Sequence, residues 1–405
     1  MRIASRLLVC PALLCVMSVV TRAQEPDQPH QHHQMAADPA DAGGWMVMAD
    51  ANVFYGFNYQ ERKFADFWAW ESQNWGMLAA SHSAGRGQLT LHGMLSLEPF
   101  TIAKLGSPQA FQTGESYQRA PLVNYQHPHD LFMDLGGTYR LPSGRVTYIF
   151  EADLVGAPAL GPTGFMHRES ARDNPEAPLT HHYLDSTHIS AGVVTGGIEI
   201  APFTFEVSAF KGEENDDDNR LNIQQPALDS WSTRVSWHRG PWQAQMSGGH
   251  LKMPEWWEQT DVVRLTASFG YDGLVKSRPL TVTAAWGQNR EYTYAPNGYL
   301  LEWDLRATVT STLYGRAEAV RKEIFGLGPH PPGVPIEPIV FSRIAALTVG
   351  YLYDLPKIYG TRLGIGADIT VYNIDQLLVE YYGSPQSYHV FLRWRPSRSS
   401  MAHMH

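Results

Sequence analysis

The side chains with the most scope for chemistry are histidines, and they fall in groups. His127-Pro128-His129-Asp130 sets two imidazoles and a carboxylate within four residues. The stretch from Gly156 to Ser186 carries His167, Arg168, Glu169, Arg172, Asp173, Glu176, His181, His182 and Asp185, with His188 just beyond it. Near the start, His30, His32, His33 and Met35 lie in a Gln- and Pro-rich segment, and the chain ends Met401-Ala402-His403-Met404-His405. Imidazole holds Cu(II) and thioethers select Cu(I), so copper or another divalent metal is the ligand these groups suit. Plainer alternatives stand beside that one: polar tails accumulate such residues without binding anything, and a loop rich in both signs of charge can simply be pinned by salt bridges. The acidic run Glu213-Glu214-Asn215-Asp216-Asp217-Asp218-Asn219 lacks the spacing of a helix-flanked calcium loop and reads as a solvated tip.

The elements that must position these groups follow from a period of two. After residue 23 the chain divides into short segments of alternating apolar and polar residues. In one, Leu301, Trp303, Leu305, Ala307 and Val309 alternate with Glu302, Asp304, Arg306 and Thr308; in another, Leu363, Ile365, Ala367, Ile369 and Val371 alternate with Arg362, Gly364, Gly366, Asp368 and Thr370. Strands are expected over 45–59, 73–84, 87–98, 129–141, 144–155, 187–200, 203–212, 229–239, 241–252, 261–271, 278–289, 298–309, 312–323, 341–353, 360–373 and 386–395. Tight turns such as Gly85-Arg86, Ala201-Pro202 and Arg239-Gly240-Pro241 alternate with long connections. The pattern predicts an all-β fold: a transmembrane antiparallel up-and-down β-barrel of about sixteen strands, fourteen or eighteen being the neighbouring counts, with short periplasmic turns and long extracellular loops. A soluble sandwich, jelly roll or propeller also alternates, but aromatics near the strand ends (Trp68, Trp70, Trp75, Trp231, Trp237, Trp242, Trp286, Tyr351, Tyr353, Trp394) favour interfacial girdles.

On this layout Gly156 to Ser186 is the third external loop, the one that commonly folds into the lumen of sixteen-stranded porins. The expected lumen and constriction residues are Glu151, Asp153, Arg168, Glu169, Asp185, His188, Arg234, Glu302, Arg306, Arg316 and Glu318. His127, His129, His167, His181 and His182 are expected to meet at the outer mouth or constriction, with His30, His32, His33, His403 and His405 as further metal candidates in the tails. Mixed charges of this kind either line an aqueous channel or pair into a polar plug.

Residues 1–23, with a basic start, the apolar run Leu7 to Val20 and Thr21-Arg22-Ala23 before Gln24, read as a secretory signal peptide. The remaining chain divides into a disordered His/Met-containing segment at 24–43, one barrel domain at 44–395 and a tail at 396–405. Segment 24–43 is too short for the plug domain of a siderophore transporter. Both cysteines, Cys10 and Cys15, lie in the signal peptide, which excludes disulfides, thiolate metal centres and thiol nucleophiles from the mature chain. With 31 basic against 40 acidic groups the formal charge is −9, which argues against a nucleic-acid partner. Outer-membrane lipids, lipopolysaccharide and a small solute or metal ion are the expected partners, for a monomer or trimer.

Pro128-His129-Asp130-Leu131-Phe132-Met133-Asp134-Leu135, Gly161-Pro162-Thr163-Gly164-Phe165-Met166-His167-Arg168, Pro178-Leu179-Thr180-His181-His182, Tyr299-Leu300-Leu301-Glu302 and Tyr314-Gly315-Arg316-Ala317-Glu318 resemble segments of a family of uncharacterised bacterial outer-membrane barrels. That family is often met beside copper and heavy-metal resistance functions, and the resemblance implies an outer-membrane location and a link to metals. It brings no catalytic or binding residues to carry over. A lipid hydrolase is the competing class, since Asp185, Ser186, His188 and Ser190 are close in sequence. Ser186, His188 and Ser190 share one strand face assigned to the lumen, where a lipid bond does not reach, and no nucleophile motif is present; no enzyme activity is expected. The sequence therefore favours a pore or binding barrel for small solutes or metal ions, copper being the sharper expectation and a structural or adhesive barrel with a sealed polar lumen the alternative.

Overall fold

The computed structural model describes residues 44–396 apart from 64–65, 118–119, 215–219, 256–259, 292–293, 325–339 and 358–359. Residues 1–23, the expected signal peptide, together with His30, His32, His33, His403, His405 and most of the acidic run, lie outside the described residues. The strands are β1 (Met46–Gln60), β2 (Phe67–Glu71), β3 (Asn74–Ala84), β4 (Gly87–Leu95), β5 (Ser107–Tyr117), β6 (Ala120–Gln126), β7 (Phe132–Ser143), β8 (Val146–Gly156), β9 (Ser190–Ile200) and β10 (Phe203–Phe210). They continue as β11 (Ser230–Arg239), β12 (Trp242–Leu251), β13 (Val262–Val275), β14 (Arg278–Arg290), β15 (Asn297–Arg306), β16 (Ser311–Ile324), β17 (Val340–Asp354), β18 (Thr361–Ile374) and β19 (Gln386–Pro396). Three short helices, α1 (Glu98–Thr101), α2 (His181–Leu184) and α3 (Gln376–Tyr382), sit in long connections.

β2 and β3 are one strand with a break at Ser72-Gln73. Gly56 faces Glu71 and Val53 faces Asn74, so both halves keep a single register on β1. Each later barrel strand pairs antiparallel with its sequence neighbour, and β19 returns to β1, from Val53 opposite Trp394 to Gln60 opposite Ser387. Joining β2 to β3 gives a closed barrel of sixteen strands, the expected fold. Closure matters physically because it leaves no unpaired strand edge.

The alternation sorts side chains as the sequence implies. Tyr299, Leu301, Ile365, Ile369, Val390 and Leu392 point outward, whereas Glu302, Asp304, Asp368, Thr370 and Arg393 are buried inside. Exposed aromatics mark both rims, Trp68, Trp70 and Trp231 at the loop end and Trp242, Tyr351 and Tyr353 at the turn end. Trp75 corrects the girdle assignment: it is buried in the lumen and packs edge-on against His167 with ring centroids 4.6 Å apart. His188 is also corrected, from the first residues of a strand to the 3-10 turn Ser186–Ile189 that precedes β9, and β19 takes in Pro396.

The sequence pattern did not reveal the hairpin β5–β6, which forms its own two-stranded sheet. Its alternation is broken by two register shifts, and Phe111 and Asn124 hold left-handed backbone at φ 68° and 69°. Phe111 N–H donates to Asn124 Oδ1 at 2.9 Å, and its ring stacks near Tyr382 of α3, centroids 4.3 Å apart. Ala110 and Phe111 join Leu179, Tyr183, Val320, Ile324, Ile344, Leu378 and Tyr382 in an apolar cluster that ties the hairpin, the third loop and α3 to the wall.

The outward face makes one clear demand on its surroundings. Ile369→Arg, at mid-height on β18, should cost about 2–4 kcal/mol if that face meets hydrocarbon. Equilibrium urea unfolding in phospholipid vesicles measures it, with Thr370→Arg on the neighbouring inward position as a comparison that reports lumen packing instead.

Candidate functional site

The third loop enters the lumen and is bonded to walls all around it. At its start, Ala159 N–H donates to Ser208 Oγ on β10 and Gly161 N–H to Ser247 Oγ on β12, both at 2.8 Å. Farther along, Ser170 Oγ donates to Thr283 Oγ1 on β14 at 2.8 Å, while Asn52 Nδ2 on β1 donates to Arg172 O at 3.0 Å. Thr180 donates through N–H and Oγ1 to Glu318 Oε1 on β16, each at 2.9 Å, and Arg264 Nη1 on β13 donates to Ser186 Oγ at 2.9 Å. The loop also lies close enough to β14 that a Cβ on Gly287 would stand 2.1 Å from Tyr183 O.

Charge supplies the centre of this attachment. Arg168 Nε donates to Glu302 Oε2 on β15 at 2.8 Å, its Nη1 pairs with Asp185, and Arg316 Nε on β16 takes the other oxygen of Glu302 at 2.8 Å. Asp173 pairs with Arg393 of β19, whose Nη2 reaches Asp354 at 2.6 Å. Arg168, Asp185, Glu302, Arg316 and Glu318 are all buried. Glu169 pairs with Arg172 within the loop, Arg234 donates to Glu206 Oε2 at 3.0 Å across β10 and β11, and Arg306 stands half-buried at the turn end of β15. Burial opposes ionisation of Asp185, but Arg168 and His181 overcome it and hold the carboxyl well below the usual range.

Five imidazoles gather where the third loop meets the connection between β6 and β7, His181, His182 and His188 from the former side and His127 and His129 from the latter. His129 Nδ1 donates to Glu98 Oε2 at 2.8 Å, His181 Nδ1 to Asp185 Oδ1 at 2.8 Å, and His188 Nδ1 to the Asp185 carbonyl at 2.7 Å. Because each acceptor is an oxygen without a proton, Nδ1 carries a hydrogen and Nε2 is the ring atom left to meet a metal, the arrangement that orients metal-binding histidines. Nε2 of His129 and Nε2 of His188 accept no hydrogen bond. Ring centroids are 5.5 Å apart for His129 and His188, 5.2 Å for His181 and His188, and 5.3 Å for His181 and His182. Burial and the charges of His181 and His129 hold His188 well below its ordinary pKa, so it is a neutral imidazole at neutral pH.

His127 and His182 meet around carboxylates that sequence reasoning did not select. Glu214 lies 3.6 Å from His127 Nε2 and 3.9 Å from His182 Nδ1, and Glu255 lies 3.6 Å from His182 Nδ1. These separations exceed a hydrogen bond but suit donors sharing one ion at about 2.0–2.2 Å from each. One donor atom each from His182, Glu214 and Glu255 falls within a common 4.8 Å sphere of separations. His167 stands apart from this group, against Trp75. Beside it Met94, Met133 and Met166 pack with Trp75 and Phe165, with Met77 against them.

No protein-family model and no curated protein sequence matches this chain. Solved structures do. In vitro folded OmpT, an outer membrane protein of Vibrio cholerae, superposes with a TM-score of 0.50 at 9% identity, covering 89% of this chain and 100% of that one. The anion-selective porin from Comamonas acidovorans gives 0.49 at 11% identity over 87% and 100% of the two chains. OmpF of Salmonella typhi, in complex with daunomycin, gives 0.49 at 10% identity over 86% and 97%. At such identities the likeness concerns the fold: this is an outer-membrane-type barrel.

The seating of the third loop carries its own pH dependence. Burial pushes Glu176 up to about 7, against His389 and Arg316 and together with Asp368 and Glu318; Gln60 Nε2 donates to it at 3.1 Å. A raised carboxyl favours the seated loop most below the ordinary carboxylate pKa, and that advantage disappears as pH rises toward 7, by about 3 kcal/mol in all. Depressed Asp185 acts oppositely, losing its contribution only in strong acid. His188, held low, acts against it, since its contribution fades as pH falls below the ordinary imidazole value. The contribution of Glu176 is isolated by substitution: Glu176→Gln should slow proteolytic nicking of the loop at pH 8 and change it little at pH 5.

Proposed function

We propose that the protein is an outer-membrane channel of narrow bore, in which the third loop forms the constriction and the imidazoles gathered on and against it bind a transition-metal ion, copper foremost. The observation that carries this reading is the convergence of His127 and His129, from the connection between β6 and β7, on His181, His182 and His188, which belong to or directly follow a loop bonded to opposite walls of the lumen. The buried pairs of Arg168 and Arg316 with Glu302 would act on solutes indirectly, by fixing the loop across the lumen and so setting the bore. Copper is favoured over harder cations by the donor chemistry: imidazoles held through Nδ1 by oxygen acceptors suit Cu(II), and the thioethers of Met94, Met133 and Met166, packed around Phe165, suit Cu(I). An outer-membrane location agrees with the closed sheet and its apolar outward face. No catalytic step is assigned, because Ser186 is bonded to Arg264 and faces the packed lumen rather than lipid.

Two measurements test the two halves. Copper retained by purified protein after dialysis, read by elemental analysis, should fall when His182→Ala weakens the site, with affinity reduced at least about 10-fold. Equal copper content in the variant and wild type would remove the metal assignment. For the channel, single-channel conductance in a planar bilayer should be small in the wild type and rise in Arg168→Ala, since removing one partner of a buried ion pair costs about 3–5 kcal/mol of loop attachment. Unchanged conductance in that variant would show that the loop does not set the bore.

A further inference from the structure

A second cluster lies on the lumen wall, apart from the histidines of the loop. His92 on β4, Asp134 on β7 and Asp153 on β8 each offer a donor atom within 4.8 Å of the others. His92 Nδ1 donates to Asp134 Oδ2 at 2.6 Å, which turns Nε2 toward Asp153 Oδ1, 3.7 Å away. Asp153 is buried, with its side chain 1% exposed, yet no nitrogen or hydroxyl donor reaches either carboxylate oxygen within hydrogen-bond distance, and the group set against it is another carboxyl, Glu151. Glu151 and Asp134 are further negative charges acting on it, and Glu151 Oε2 accepts from Thr138 Oγ1 at 3.3 Å. The neighbouring arginines are engaged elsewhere, Arg140 with Glu199 and Arg234 with Glu206. Three carboxylates thus face one imidazole, and Asp153, its side chain 1% exposed, is opposed by a carboxyl where a donor or a cation would be needed.

Such a carboxylate is costly unless a cation completes its surroundings. The backbone is shaped around it as well: a Cβ on Gly136 would stand 1.7 Å from Asp153 Oδ1, so a side chain at 136 would evict the carboxylate. We propose that His92 Nε2, Asp153 and Glu151 bind a divalent cation of borderline hardness, such as Zn2+ or Mn2+, with Asp134 as a positioning residue that fixes the imidazole through Nδ1. One nitrogen and several carboxylate oxygens select this class rather than the soft Cu(I). The site is separate from the histidine and methionine cluster, though the turn Ser186–Ile189 packs on β7 and β8 beside it. It gives the lumen wall a cation-holding station on the loop-end half of β8.

The test uses the full-length protein in detergent, equilibrated with Zn2+ and separately with Mn2+, counting bound ions by elemental analysis. Wild type should bind one equivalent more than Asp153→Asn, and Asp134→Asn should weaken that equivalent by about 10–100-fold while leaving it present. His182→Ala should leave the wall equivalent intact, which separates its failure from failure of the loop site. Gly136→Ala, which removes no donor, should abolish the same equivalent while the barrel keeps its heat-modifiable migration on gels. Equal stoichiometry and affinity in wild type and folded Asp153→Asn would overturn the proposal and leave the cluster a set of carboxyls sharing protons.

Discussion

Arg168 reaching Glu302 is the contact on which the interior depends. A barrel with an apolar outer face must turn its alternate residues inward, so charge accumulates in the lumen. Water would solvate that charge in an open channel. Here a loop displaces much of the water, and every charge it covers needs a partner of opposite sign. Arg168 supplies it by joining Asp185 on its own loop to Glu302 on the far wall, while Arg316 completes the carboxylate from the neighbouring strand. The pair Asp173 and Arg393 repeats the solution on β19. Buried ion pairs of this kind are weak contributors to net stability but severe in what they forbid, since losing one member strands the other.

The pairing also explains how the lumen is layered. Charged contacts hold the stretch from Arg168 to Asp185, whereas Leu179 and Tyr183 turn to the apolar cluster formed with Ala110, Phe111, Leu378 and Tyr382. The second loop and α3 therefore cover one side of the third loop through burial, and the wall grips the rest through polar bonds. Histidines occupy the boundary between the two kinds of packing, where Phe165 touches His129, His181 and His188. Desolvation there keeps His188 neutral, the protonation state a metal requires.

Each of the sixteen barrel strands was legible at least in part because alternation is a local signal, carried by residues two apart; the half of the second strand formed by β2 was missed. Tight turns such as Gly85-Arg86 were legible for the same reason, and the third loop could be counted once the strands were in place. The hairpin β5–β6 was not legible: Phe111 and Asn124 in left-handed backbone and two register shifts erase its period of two. Trp75 was misplaced because an aromatic near a strand end satisfies a girdle and a lumen contact equally, and only the position of His167 decides. Glu214 was legible only as part of an acidic run taken for a solvated tip, although it faces His127 and His182, and Glu255 carried no signal of its own. Their role depends on His127 and His182, which come from other loops, and separations in sequence of that kind leave no periodic trace.

The close approach of Tyr183 to Gly287 has a consequence for how this interior can change over time. A loop resting on side chains can drift, because neighbouring rotamers absorb small differences. One resting on bare backbone has no such slack, so strand and loop behave as a casting and its mould. The loop is then not an interchangeable fitting on a generic cylinder. Its shape is inscribed in β14 as well as in its own residues, and a new selectivity would have to be written into both at once.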